Sequence, residues 1–142
     1  MSATIESKGT CLCGGVQVIA KTMSKHVGAC HCGICRKWGG GPLMAVDCGT
    51  EVLFENESSI TIFNSSECAE RGFCNRCGSH LFYRLKETQQ YFIPAGIFND
   101  VNSFEFDHQV FIDNKPSYYS FANKTRVMTE AEIFAQFGSS EE

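Results

Sequence analysis

Two cysteine pairs, Cys11-Leu-Cys13 and Cys74-Asn-Arg-Cys77, constrain this chain more than any other feature. One or two intervening residues let a tight turn aim both sulfurs at one point, and two such pairs supply the four thiolates of a tetrahedral zinc site. The pairs are remote in sequence, so a shared metal ties distant strands together. In a chain of 142 residues that crosslink is a substantial part of the folding free energy. Between the pairs lies a triplet, Cys30-His-Cys32-Gly-Ile-Cys35, which offers three ligands and leaves a fourth position for something else. An open position on a metal is where chemistry can happen.

Composition narrows the setting. The opening residues lack the apolar stretch of a signal peptide, and no run approaches the ~20 apolar residues of a membrane span, so a cytoplasmic protein without membrane contact is expected. In a reducing compartment clustered cysteines read as metal ligands rather than disulfides. A formal net charge of −4, with no long basic run, argues against nucleic acid as a partner. Hydrophobic residues at 43% and charged residues at 20% are globular proportions, and 12 phenylalanines point to an aromatic core or pocket.

Short runs rich in Val, Ile, Phe and Tyr predict strands over Gly15–Thr22, Leu43–Asp47, Glu51–Phe54, Ser59–Phe63, His80–Leu85, Tyr91–Ala95 and Phe104–Ile112. Ser59–Phe63 and Phe104–His108 alternate with period two, as half-buried strands do. One helix is expected near the end, where Thr129-Glu-Ala-Glu132 forms a capping box ahead of Ile133, Phe134 and Phe137 on one face. The fold class is therefore mainly β, short antiparallel strands with one short C-terminal helix. No linker divides the chain, so one domain over 1–142 is expected, its ordered core about 5–137, with a frayed Ser-Ser-Glu-Glu end.

Gly9-Thr-Cys-Leu-Cys-Gly14, Cys30-His-Cys-Gly-Ile-Cys-Arg-Lys37 and Arg71-Gly-Phe-Cys-Asn-Arg-Cys-Gly78 resemble the signature of the glutathione-dependent formaldehyde-activating enzyme family, which also includes centromere protein V. The similarity continues through Pro94-Ala-Gly96-Ile-Phe and through His108 followed by Lys115-Pro-Ser-Tyr118. The resemblance implies a small β-tent zinc fold with two zincs per chain. It places a structural zinc on Cys11, Cys13, Cys74 and Cys77 and a catalytic one on Cys30, Cys32 and Cys35. The implied activity condenses glutathione, a small thiol co-substrate, with formaldehyde, formally a carbon–sulfur lyase of the S-(hydroxymethyl)glutathione synthase type.

The triplet's charge favours that chemistry. Three thiolates leave a divalent zinc site at −1, which weakens its pull on a bound water but still holds a substrate thiol as its reactive thiolate. Three other readings stay open. Cys68, six residues before Cys74, can serve as the triplet's fourth ligand and make both zincs structural. Cys32-Gly-Ile-Cys35 can be read as a redox dithiol. The whole can be a non-catalytic zinc module that binds protein partners. Cys48 reads as a buried apolar cysteine.

Around the triplet, Arg36 is the candidate for a glutathione carboxylate, by its planar fork, with Lys37 beside it and Arg71 and Arg84 as further cations. His31 can reach a thiolate or point to solvent. His108 suits proton transfer or a structural role. Trp38 and the phenylalanines read as core or as a pocket wall.

Overall fold

The computed structural model describes residues 4–137. In chain order its strands are β1 (Thr4–Thr10), β2 (Gln17–Ser24), β3 (His26–Cys30), β4 (Leu43–Gly49), β5 (Val52–Glu55), β6 (Ile60–Asn64), β7 (Ala69–Cys74), β8 (His80–Leu85), β9 (Tyr91–Pro94), β10 (Glu105–Val110) and β11 (Arg126–Met128). A helix α1 (Gly33–Gly39) joins β3 to β4, and α2 (Glu130–Phe137) follows β11. The fold is mainly β with a short C-terminal helix, as expected.

Two open sheets carry it. One has three strands in the order β1-β2-β5, and the other has eight in the order β11-β10-β3-β4-β9-β8-β7-β6. The smaller sheet covers one face of the larger. Val18, Ala20, Met23 and Val52 from the first meet Val27, Val46, Leu81, Phe82 and Ile93 from the second in one buried cluster. Phe54, Phe82 and Tyr91 stack within it at centroid distances of 5.1 to 5.6 Å. Because strand residues alternate faces, Cys30, Leu43, Ala45, Tyr83 and Phe92 line a cavity that the main core does not occupy.

The strands differ from expectation in direction and number. β10 pairs with β3 and with β11 in parallel, where antiparallel neighbours were expected. Alternation reports which face is buried and is blind to pairing direction. β1, β3, β7 and β11 were not anticipated, since segments such as Ala69-Glu-Arg-Gly-Phe-Cys74 carry charge and glycine where strand formers are usual. Nor was α1, which has glycine at both ends and poor intrinsic propensity. It is held because Cys32 acts as its N-cap, its sulfur accepting the Cys35 N–H at 3.3 Å.

At α2 the capping box is present in both directions. The Glu132 N–H donates to Thr129 Oγ1 at 3.2 Å, and the Thr129 N–H donates to Glu132 Oε1 at 2.7 Å. The helix lays Ile133 and Phe134 against Cys30, Cys32, Cys35 and Phe111. The Phe137 side chain and residues 138–142, where the frayed end was expected, lie outside the described residues.

Candidate functional site

Cys11 and Cys13 sit in the β1–β2 connection, while Cys74 ends β7 and Cys77 lies in the turn into β8. Each pair is followed by a glycine in the left-handed region, Gly14 at φ 76° and Gly78 at φ 80°, which turns the chain back so that both sulfurs face one point. The Gly14 N–H closes onto the Cys11 carbonyl at 3.1 Å, and the Gly78 N–H onto the Cys74 carbonyl at 2.7 Å. All four sulfurs lie within 4.8 Å of one another. Tetrahedral zinc with Zn–S bonds of about 2.3 Å separates its sulfurs by about 3.8 Å. Cys11 and Cys13 stand 3.5 Å apart, and Cys13 and Cys74 3.8 Å, so the group fits that ion.

Backbone and hydroxyl donors lower the Cys11 and Cys77 thiols, while the neighbouring sulfurs push Cys13 up to about 11. The Val16 N–H points at Cys11 Sγ at 3.3 Å, and the Gly15 N–H at Cys13 Sγ at 3.4 Å. The Ser79 hydroxyl and backbone N–H hold the Cys77 thiol down to about 5. The group joins the hairpin of the small sheet to the β7–β8 hairpin of the large one. A zinc held by all four would be closed, with no position left for substrate.

The second group, Cys30, Cys32 and Cys35, also has its sulfurs within 4.8 Å of one another. Among the described residues no fourth Cys, His, Asp or Glu places a ligand atom in that group. Cys30 closes β3, Cys32 caps α1 and Cys35 sits one turn into it, so the strand-to-helix junction itself converges the thiols. Hydrogen bonds from Cys30 and Cys32 hold Cys35 down to about 3, with Arg71 adding to the effect. Cys30 is pushed far up by its hydrogen bonds with Cys32 and Cys35 and by burial. The cluster therefore sheds its first proton easily and holds its last, which a divalent cation displaces.

Arg71 is the residue the sequence reading underrated. It is 1% exposed, and its Nη2 donates to Cys35 Sγ at 3.3 Å. Its guanidinium carbon lies 5.7 Å from the Trp38 ring centroid and 5.1 Å from that of Tyr83. Nε and Nη1 are buried without a hydrogen-bond partner, and no carboxylate pairs with Arg71 among the described residues. A buried cation without a carboxylate requires negative charge nearby, and the Cys35 thiolate supplies it. Burial of the His80 imidazole, and secondly the Arg71 charge, hold that ring down to about 4.

His108 reaches the same cavity through an irregularity. The register of β10 against β3 shifts between Phe106 and His108. The extra residue reverses the alternation, so Phe106 packs in the main core while His108 and Val110 line the cavity. Asp107 accepts from His108 Nδ1 at 2.7 Å, fixing the ring and leaving Nε2 over Gly28. A Cβ at Gly28 would stand 2.1 Å from that Nε2. Gly28→Ala is expected to push the imidazole aside and cost about 1–3 kcal/mol. A denaturant melt checks the cost, and the NMR shift of the His108 ring checks the displacement.

The other candidates are placed as follows. Cys68 lies in the turn before β7, its sulfur 3.6 Å from Ser66 Oγ, and lines the cavity outside the three-sulfur group. Cys48 is fully buried, and burial pushes its thiol up to about 12. Arg36 is half-buried on α1 and does not line the cavity. Arg84 donates from Nε to Glu70 at 2.8 Å and from Nη1 to the Tyr91 hydroxyl at 2.8 Å, a cross-strand role. His31 neither meets a thiolate nor faces solvent. It is 1% exposed, Nε2 donating to Gln109 Oε1 at 2.7 Å and Nδ1 accepting from the Tyr119 hydroxyl at 2.5 Å. Trp38 stacks on Phe63 at 5.9 Å and, with Cys35, lines a second, wider groove.

No described helix is long and apolar enough to cross a membrane. The fold is shared with a crystal structure of a Rhodobacter sphaeroides protein, at a TM-score of 0.56 and 24% identity, over 67% of this chain and 90% of that one. An uncharacterised lyase of Schizosaccharomyces pombe is 36% identical over 129 residues, covering 90% of this chain and 94% of that protein. Residues 6–114, which hold both cysteine groups, Arg71 and His108, match the sequence profile described as glutathione-dependent formaldehyde-activating enzyme, and the chain belongs to that family.

Proposed function

We propose that the protein is a zinc-dependent carbon–sulfur lyase-type enzyme that makes and breaks the bond between a thiol, glutathione, and formaldehyde or another small carbonyl electrophile. The observation that carries this reading is the group of three sulfurs, without a fourth protein ligand among the described residues, on the wall of a cavity beside a buried arginine. The family's description and the yeast relative's designation as a lyase support it. Zinc held by Cys30, Cys32 and Cys35 would keep a substrate thiol in its reactive thiolate form. Cys11, Cys13, Cys74 and Cys77 would hold the structural zinc.

The chain's own residues do the rest. Arg71 offsets the negative charge that the thiolates and an incoming thiol accumulate. As the sulfur lone pair forms the carbon–sulfur bond, the carbonyl π pair moves onto oxygen, which takes up a proton. His108, fixed by Asp107 on the cavity wall, is the donor, and in the reverse direction it recovers that proton as the bond breaks.

The test combines metal analysis, calorimetry and adduct formation followed by NMR. About two zincs per chain are expected, with glutathione binding to the loaded protein and the S-hydroxymethyl adduct appearing faster than without enzyme. His108→Asn is expected to slow turnover ~10²–10⁴-fold while glutathione still binds. If glutathione and other small thiols fail to bind, the lyase reading is wrong and both zincs are structural.

A further inference from the structure

The cavity beside the three sulfurs is chemically unlike formaldehyde. It measures about 200 Å³. Leu43, Leu85, Phe92, Phe111, Ile133 and Phe134 give it an apolar wall, broken by Arg71, His108, Tyr83, Ser65 and Ser66, and no aspartate, glutamate or lysine lines it. An apolar cavity of about 150 Å³ is enough to hold benzene, whereas formaldehyde has a single carbon and no apolar body to bury. Glutathione does not fit the lining either. Its two carboxylates and ammonium would lose water here and find one guanidinium, already engaged with Cys35, one imidazole and the hydroxyls of Ser65, Ser66 and Tyr83 in exchange, with no carboxylate for the ammonium.

Room for a tripeptide exists elsewhere. The groove lined by Trp38, Phe63, Phe73 and His80 has a volume of about 710 Å³, and Cys35 and Leu43 line both spaces. Cys35 therefore stands between a wide groove and a narrow apolar cavity. The roof of the cavity, Ile133 and Phe134 on α2, lies outside the family-matched residues 6–114. It is thus a feature of this chain that the matched core does not supply.

We propose that the carbonyl reactant is an aldehyde with an apolar body of about six carbons or a few more, seated in the cavity, while the thiol carrier approaches from the groove. The inference rests on the thiol-adduct reading above and names its electrophile. The chemistry balances without further reagents: thiol and aldehyde combine, sulfur bonds to the carbonyl carbon, and the thiol proton ends on the oxygen. His108 and the three cysteines share the cavity wall, so the aldehyde carbon and oxygen lie between the sulfurs and the proton donor. The apolar body contributes binding that formaldehyde cannot, at about 25 cal/mol per Å² of apolar surface buried.

Benzyl alcohol, which has the shape of benzaldehyde but no electrophilic carbon, tests the site without turnover. Calorimetry on the zinc-loaded protein is expected to show it binding in the absence of thiol, and Leu85→Trp, which fills the cavity, to weaken that binding at least tenfold with both zincs retained. Phe134→Ala, on the surface helix, is a second variant should the first fail to fold, and it is expected to shift preference toward bulkier aldehydes. In kcat/KM with glutathione, benzaldehyde and hexanal are expected to exceed formaldehyde at least tenfold. Absence of benzyl alcohol binding, or a preference for formaldehyde, would overturn the inference while leaving glutathione binding intact. Loss of glutathione binding in the wild type would instead sink the thiol reading on which it stands.

Discussion

Cys74→Ser is expected to unfold the protein. Cys74 is fully buried at the end of β7, and its sulfur belongs to the group that joins the two sheets. Serine cannot supply the soft anionic donor that zinc requires, so the four-thiolate centre is lost. Structural zinc binding contributes ~10–16 kcal/mol in small zinc domains, against a typical net stability of ~5–15 kcal/mol. Removing it exceeds what the remaining core can offset. Circular dichroism melts should lose their cooperative transition, and metal analysis should show at most one zinc per chain. Cys48→Ser is the control, since Cys48 is as buried but belongs to neither cysteine group. It should cost only ~1–3 kcal/mol for a buried hydroxyl and keep both metals. Equal damage from the two variants would show that burial, rather than metal, explains the effect.

Cys30→Ser is expected to do the opposite, sparing the fold and removing the chemistry. Cys30 is only partly buried, and its group draws all its ligands from one strand-to-helix junction. Such a local site closes no long loop, so its contribution to folding is smaller. The variant should melt cooperatively, retain one zinc and lose glutathione binding. Adduct formation should fall to the uncatalysed rate. Arg71 keeps its contact with Cys35 in this variant, which is why Cys30 is the cleaner target. A variant that still binds glutathione as tightly as wild type would remove the three-cysteine group from the proposed mechanism.

The cysteine groups were legible in the sequence because their logic is local. A pair separated by one or two residues converges whatever surrounds it, and the glycines after Cys13 and Cys77 mark the turns that make it do so. The capping box at Thr129 was legible for the same reason, its donors and acceptors lying within one turn. Arg71 and His108 were visible only as isolated residues. Nothing near Arg71 in sequence says that Trp38 and Tyr83 will cover its faces or that Cys35 will meet its Nη2. For His108 the alternation of Phe104, Phe106 and His108 points the wrong way. Taken literally it buries the histidine with the phenylalanines, and one extra residue in β10 turns it to the other face.

By itself the sequence determined which thiols gather, the mainly β class, the C-terminal helix and the family. Each of these is written in short-range spacing or in a pattern of faces. The tertiary structure alone decided that the four-cysteine group joins two sheets, that Cys68 lines the cavity outside the three-sulfur group, and that an arginine is buried against Cys35. It also decided that the cavity beside those sulfurs is apolar and roofed by α2. The physical reason is that a cavity is made by residues from many strands meeting, and its polarity follows from which faces the pairing turns inward.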